Sequence, residues 1–238
     1  MKKILVVNVN WLGDVIFSTP VFRAVKQHFP AAQVTCLAVP RVREILACCP
    51  DVDQIMVYDE RGRHRSPWGQ GALIRALRRQ RFDAAFLLHR SWTRAALMFL
   101  AGIPVRVGYD TKGRGRLLTR RIPEPAAALH RSDHYLRVIE AAGIPVTDRV
   151  CRLAVPEAAR AEMDTMLAGA GLGSADPIVV VNTGGNWGLK RWPPAHFAAV
   201  VRRLTRELGA RVVIPGAPED VPLAREIAES SQVSDRKS

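Results

Sequence analysis

Seven short apolar runs, at 4–7, 34–38, 55–57, 84–88, 105–107, 178–181 and 212–214, alternate with segments whose apolar residues recur at helical spacing. Runs this short and this predominantly apolar fit strands buried on both faces. The helical segments between them, at 15–28, 72–80, 93–101 and 134–142, supply the crossovers that parallel strands need. The alternation therefore predicts an α/β fold with doubly wound parallel sheets. In such sheets, ligands bind outside the carboxyl ends of the strands, so the residues that follow each apolar run are the first candidates for function.

The rhythm breaks between Ile122 and Leu172, where the chain is rich in proline and alanine and offers helices near 131–142 and 157–170. It resumes at Ile178. We place a domain boundary near residue 172, giving a first domain over 1–172 and a second over 173–238 with a strand, a helix near 195–208, a second strand and a helix after Pro218. About 65 residues with two strands fall short of the roughly 100 expected of a doubly wound domain. The second domain therefore reads as incomplete, and the polar residues 229–238 as a frayed tail.

Composition narrows the partners. Lys and Arg number 35 against 22 Asp and Glu, a net charge of +13, which favours an anionic partner such as nucleic acid, an acidic membrane surface or a phosphorylated substrate. Aromatic residues are sparsely interleaved with the charges and no recognition module is visible, so nucleic acid is not expected. The four cysteines, at 36, 48, 49 and 151, lack metal-ligand spacing and read as buried thiols of a reducing cytosol. Polar residues at 8, 10 and 14 interrupt the first apolar run, and no run nears the ~20 residues needed to span a bilayer. A cytoplasmic protein is expected, with peripheral contact to the inner membrane.

Two loops stand out for chemistry. The first strand is followed by Asn8-Val-Asn-Trp-Leu-Gly13-Asp14, in which Gly13 permits a tight turn and Asp14 either caps the next helix or acts as a general base. The run Asn182-Thr-Gly-Gly-Asn-Trp-Gly-Leu-Lys190-Arg-Trp-Pro193 lies between a strand and a helix start, where backbone N–H groups and basic side chains favour a phosphate or diphosphate. Thr183 and Asn186 either add hydrogen bonds to that group or stabilise the turn. Glu219 and Asp220, after the last strand, suit a helix N-terminus or the hydroxyls of a ligand. Arg90 and Arg94 follow the fourth apolar run. The stretches 61–65 and 112–121 form glycine-containing basic loops, read as mobile and suited to an anionic glycolipid or membrane. His28, His130, His134 and His196 show no partner spacing and are assigned to helix surfaces or core edges.

Taken in order, Asn10-Trp-Leu-Gly-Asp14-Val-Ile-Phe-Ser-Thr-Pro20, Ala101-Gly-Ile-Pro-Val-Arg-Val-Gly-Tyr109 and Gly185-Asn-Trp-Gly-Leu-Lys190-Arg-Trp-Pro193 resemble glycosyltransferase family 9. Within that family they are most similar to the ADP-heptose:lipopolysaccharide heptosyltransferases of the second-heptose type. The resemblance implies a GT-B fold and inverting transfer from ADP-heptose or a related nucleotide sugar to the lipopolysaccharide inner core, with no metal and no cofactor. It makes Asp14 the catalytic base. Lys190 becomes the contact to the donor diphosphate, supported by Thr183 and Asn186, and Glu219 or Asp220 a contact to donor hydroxyls. Gly13, Arg90 and Arg94 fall on the acceptor side. The family's later Asp-x-Gly-x-x-His type motif does not occur before Ser238, so a truncated remnant that only binds acceptor is the alternative to an enzyme, and a nucleic-acid-binding α/β protein a further one.

Overall fold

The computed structural model describes residues 1–173, 177–184 and 191–232. The chain divides into two compact units, Met1–Pro156 and Glu157–Ser238.

Unit 1 is built on six parallel strands, β1 Lys3–Val7, β2 Gln33–Ala38, β3 Gln54–Val57, β4 Ala84–Leu87, β5 Val105–Tyr109 and β6 Arg120–Ile122, in the order β3-β2-β1-β4-β5-β6. β1 pairs with β2 on one side and β4 on the other, so successive connections run outward in opposite directions from this strand. That reversal opens a crevice at its carboxyl end. Alternate residues of β1 serve different layers. Ile4 and Val6 join the core under helices α1 (Leu12–His28) and α5 (Arg131–Glu140), while Leu5 and Val7 join the core under α3 (Pro67–Gln80) and α4 (Trp92–Leu100). Both faces are apolar because both are covered. The expected strands and helices are present to within a few residues. The sequence reading missed β6, whose Arg120 and Arg121 are exposed and leave only Ile122 to mark a strand, and the short helix α2 (Arg43–Ala47).

Helix α1 carries Pro20 in its interior, where proline has no N–H to offer the Ile16 carbonyl. Thr19 Oγ1 donates to that carbonyl at 2.9 Å. The same hydroxyl accepts from the Arg152 N–H at 3.3 Å, and Arg23 reaches Asp148 at 2.9 Å, so α1 is tied to the extended segment that closes unit 1. Of the four cysteines, Cys36 and Cys49 are buried, and Cys48 and Cys151 are half-buried rather than enclosed.

Unit 2 contains α6 (Glu157–Gly169), two parallel strands, β7 Ile178–Val180 and β8 Arg211–Val213, and helices α7 (Pro194–Leu208) and α8 (Val221–Gln232). Its core is small: Ala198, Val201 and Ile227 are buried, with Phe197, Val212, Ile214 and Leu223 packed against them. Pro194 opens α7 and Gly209 ends it at φ 60°, the left-handed geometry that glycine adopts without penalty. Trp192 packs on His196 and Phe197, each at 5.1 Å between ring centroids.

Leu5 is fully buried in the central strand. Truncating it should cost about 2–5 kcal/mol. Urea unfolding of the Leu5→Ala chain is expected to show a clearly lowered midpoint with an unchanged slope.

Candidate functional site

The loop from β1 to α1 is held by its neighbours before any ligand arrives. Asn8 is buried, its N–H donating to the Leu37 carbonyl at 3.0 Å and its Oδ1 accepting from the Val9 N–H at 2.8 Å. Arg94 of α4 is 1% exposed, and its guanidinium donates to the Asn8 carbonyl and to Asn10 Oδ1, both at 2.7 Å, and to Glu60 at 3.3 Å. Its face lies over the Tyr58 ring. Burial holds Arg94 below the usual arginine range, and the Glu60 carboxylate opposes that shift. On the outer side, Arg41 donates to the Asn10 carbonyl at 2.7 Å and stacks over Trp11 at 4.2 Å. Two arginines from different elements thus clamp one short loop.

Behind it, the β4–α4 loop is fixed in the same manner. Leu88 and His89 donate their N–H groups to the Val7 carbonyl, and Ser91 caps α4 through the Arg94 N–H. Arg114, expected in a mobile basic loop, is instead fully buried in a 3₁₀ turn at Arg114–Leu117, donating to the carbonyls of Tyr109 at 2.8 Å and of His89. Burial first, and Arg90 next, lower it to about 10, so it stays charged at neutral pH. His64, read as part of the other basic loop, is also buried, its Nδ1 accepting from the Asp59 N–H at 3.0 Å. The reason is the same in both places: each side chain answers backbone groups that would otherwise be left unsatisfied.

Asp14 is not a helix cap, since Trp11 holds that position and Asp14 stands in the first turn of α1, where the helix dipole favours a carboxylate. Its Oδ1 accepts from the Tyr135 hydroxyl at 3.1 Å, and Arg131 Nε lies 3.7 Å from the same oxygen. No hydrogen bond reaches Oδ2 among the described residues. Gly13 is helical and makes no tight turn; a Cβ there would meet nothing within 4 Å. The Asp14 carboxylate, 24% exposed, faces a cleft of about 200 Å³ whose walls include Asn10, His89, Arg90, Arg131, His134 and Tyr135. A second cleft of about 310 Å³ lies on the far side of Asn10 and Trp11, between Arg41, Asp59, Glu60 and Arg61.

Charge in the first cleft is arranged in layers. Arg90 pairs with Glu124 at 2.8 Å, and His134 Nε2 lies 3.9 Å from the same carboxylate. His134, assigned from sequence to a helix surface or core edge, is buried in the cleft wall and stacks on Tyr109 at 4.1 Å, whose hydroxyl donates to the His134 carbonyl. Burial, followed by the charges of Arg94, Arg114 and Lys112, pushes His89 down to about 3. Burial also lowers His134 and raises the Tyr135 hydroxyl, whose proton stays on its oxygen to hold Asp14. The result is a carboxylate with one oxygen free of hydrogen bonds among the described residues, neutral imidazoles and flanking guanidinium groups. Such a set can accept a proton from a hydroxyl while holding an anionic neighbour.

Unit 1 thus brings together Asp14 and Arg90 on one cleft, and uses Arg94 to hold the loop between the two clefts. Sequence reasoning missed Arg131, His134, Tyr135 and Glu124. The i, i+4 spacing of Arg131 and Tyr135 puts them on one face of α5, but nothing local says that this face meets α1.

In unit 2, Thr183 is buried, and its Oγ1 has no hydrogen-bond partner among the described residues. Asn182 Oδ1 accepts from the Gly184 N–H at 3.1 Å. Asp220 turns inward: its Oδ2 accepts from the Ala217 N–H at 3.2 Å and would lie 3.3 Å from a Cβ on Gly184, while Arg191 stands 3.8 Å from Oδ1. The loops after β7 and β8 therefore meet at Asp220, and Glu219 is exposed beside it. Lys190 and Asn186 lie outside the described residues.

With this geometry in hand, comparison with known proteins is informative. The model of glycosyltransferase family 9 (heptosyltransferase) matches residues 70–236. Lipopolysaccharide heptosyltransferase 2 of Salmonella typhimurium is 28% identical over 239 residues, an alignment that takes in 94% of this chain and 66% of that protein. Among solved structures, a family 9 glycosyl transferase from Veillonella parvula superposes with a TM-score of 0.87 at 26% identity, covering 97% of this chain and 67% of that one. ADP-heptose lps heptosyltransferase II of E. coli does so at 0.74 and 25%, covering 97% and 70%. The fold class is therefore GT-B, with Rossmann-like units. This chain spans about two thirds of the length of the curated relatives it matches.

The lowered pKa of His89 links to stability. Its folded value lies below the ordinary 6.5, so between pH 6.5 and about 3 the unfolded chain binds the extra proton and stability falls as the pH falls. Denaturant titrations at pH 7 and pH 4.5 should show a smaller loss for His89→Asn than for the parent chain. Equal losses would mean that His89 is protonated in the folded state.

Proposed function

The chain belongs to glycosyltransferase family 9, and from that premise we propose that it transfers heptose from ADP-heptose to the lipopolysaccharide inner core with inversion at the anomeric carbon. The observation that carries this reading is the Asp14 carboxylate, which lines the cleft at the carboxyl end of β1, is held at Oδ1 by Tyr135 and has no hydrogen bond to Oδ2 among the described residues. An acceptor hydroxyl placed against Oδ2 gives up its proton as its oxygen attacks the anomeric carbon, and ADP leaves on the opposite side of the sugar. Arg90 and Arg131, on the walls of the same cleft, offer guanidinium groups to phosphates of the inner core. Arg94 serves the acceptor indirectly by holding the β1–α1 loop, and Gly13 leaves open space beside the base.

On the donor side, Lys190 neutralises the diphosphate as negative charge develops on the departing ADP, with Thr183 and Asn186 hydrogen-bonded to it. Asp220 takes the donor hydroxyls in preference to Glu219, because its carboxylate faces Gly184 where the two loops of unit 2 meet. No metal and no cofactor enter this scheme. An acceptor carried on lipid places the reaction at the cytoplasmic face of the inner membrane, with the protein in peripheral contact; no helix among the described residues is long and apolar enough to cross a bilayer. The names of the curated relatives and of the E. coli structure support the substrate pair.

ADP release from ADP-heptose in the presence of a heptose-bearing inner-core acceptor tests the scheme. Asp14→Asn should lower kcat by about 10²–10⁴, with the KM for donor and the melting temperature unchanged. Wild-type turnover that survives the substitution would remove Asp14 as the base, and absence of turnover in the parent chain would overturn the transferase reading itself.

A further inference from the structure

We infer that unit 1 docks on anionic phospholipid bilayers through an ordered arginine–tryptophan strip formed by the β3–α3 loop and the outer face of α3. Between residues 61 and 82 the sequence holds seven arginines and no carboxylate. Arg61, Arg63 and Arg65 are exposed, and no ion pair reaches any of them among the described residues. The nearest acids are already engaged: Asp59 accepts from the Gly62 and Arg63 N–H groups, and Glu60 from Asn10 and Arg94.

The loop is built. His64 is buried against Tyr58, and Ser66 caps α3 through the Gly69 N–H at 3.1 Å. Gly69 lies so close beneath the chain that a Cβ would stand 2.2 Å from the Arg63 carbonyl oxygen. From this fixed base Trp68 projects 87% exposed, an amphipathic ring left uncovered by the described residues. At 100° per residue, Arg75 and Arg79 fall within about 20° of Trp68 along α3, and both are exposed. A tryptophan among unpaired arginines is the pairing that suits a headgroup layer, the ring at the interface and the cations on the phosphates. Arg61 also lines the 310 Å³ cleft, so docking here brings the crevice edge to the bilayer.

The reading depends on the lipid-borne acceptor proposed above for its purpose, but lipid binding is measured without donor or turnover, so the two fail separately. The full chain is sedimented with vesicles of phosphatidylcholine alone and with 30% phosphatidylglycerol, and its fluorescence is followed with brominated phosphatidylglycerol. Binding is expected only with phosphatidylglycerol and to weaken at high salt. At about fivefold per arginine, the triple variant Arg61→Gln, Arg63→Gln, Arg65→Gln should lose about a hundredfold in affinity, and the corresponding triple Arg→Lys chain should retain most of it. Trp68→Phe, a substitution on the open surface, should remove the larger part of the bromine quenching. Equal binding to both vesicle types, affinity unchanged in the triple Gln variant, or quenching unchanged in Trp68→Phe would each overturn the proposal.

Discussion

The two-sided pairing of β1 is the constraint from which the rest of unit 1 follows. With β2 on one edge and β4 on the other, Ile4–Val7 of this strand are paired on both sides, and the chain must leave its carboxyl end into the gap between two connections that diverge. Anything placed in that gap loses the ladder that protected the strand. The loop residues therefore need partners of another kind, and the structure supplies guanidinium groups. Arg94 is oriented by the loop's acceptors, not by a carboxylate alone; three of its contacts are to oxygen atoms at 2.7–3.3 Å, and only one of those belongs to an acid.

Burying two such cations, Arg94 and Arg114, is costly unless their protons are answered. Arg114 is answered by the main-chain carbonyls of Tyr109 and His89, and Arg94 by that of Asn8 together with the side-chain oxygens of Asn10 and Glu60, while Arg94 Nε and Arg114 Nη2 meet no hydrogen-bond partner among the described residues. Each such main-chain carbonyl in turn gains a donor where water does not reach it. The same positive charge has a further effect on the ligand side. After burial, which contributes most, it helps to keep His89 neutral, while Asp14 on the same cleft is tethered by the Tyr135 hydroxyl.

Much of the layered fold was legible because the signal is local. Runs such as Ile4–Val7 and Ala84–Leu87 are apolar at every position, and only strands covered on both faces read that way. β6 was not legible, since Arg120 and Arg121 carry no apolar signature and owe their extended backbone to pairing with β5. The site was half legible. Asp14 could be found because it follows a strand, but its tether, Tyr135, lies 121 residues further along and meets it only through the packing of α5 on α1. The basic loops were misread for a related reason: sequence reports that a residue is charged, and cannot report that Arg114 faces inward to the carbonyls of Tyr109 and His89. Gly13 was over-read, as its position within α1 makes no demand that only glycine meets.

The crevice loops are fastened in series. The first is held by an arginine of α4, and the second by an arginine that follows β5, so each loop owes its shape to a side chain encoded after the next strand in the sheet. Transplanting a single loop from a relative, with the aim of reshaping the cleft, would bring the loop without its fastener. The smallest exchangeable cassette runs from Asn8 through Arg114, and redesign of the cleft in this scaffold has to treat those residues as one part.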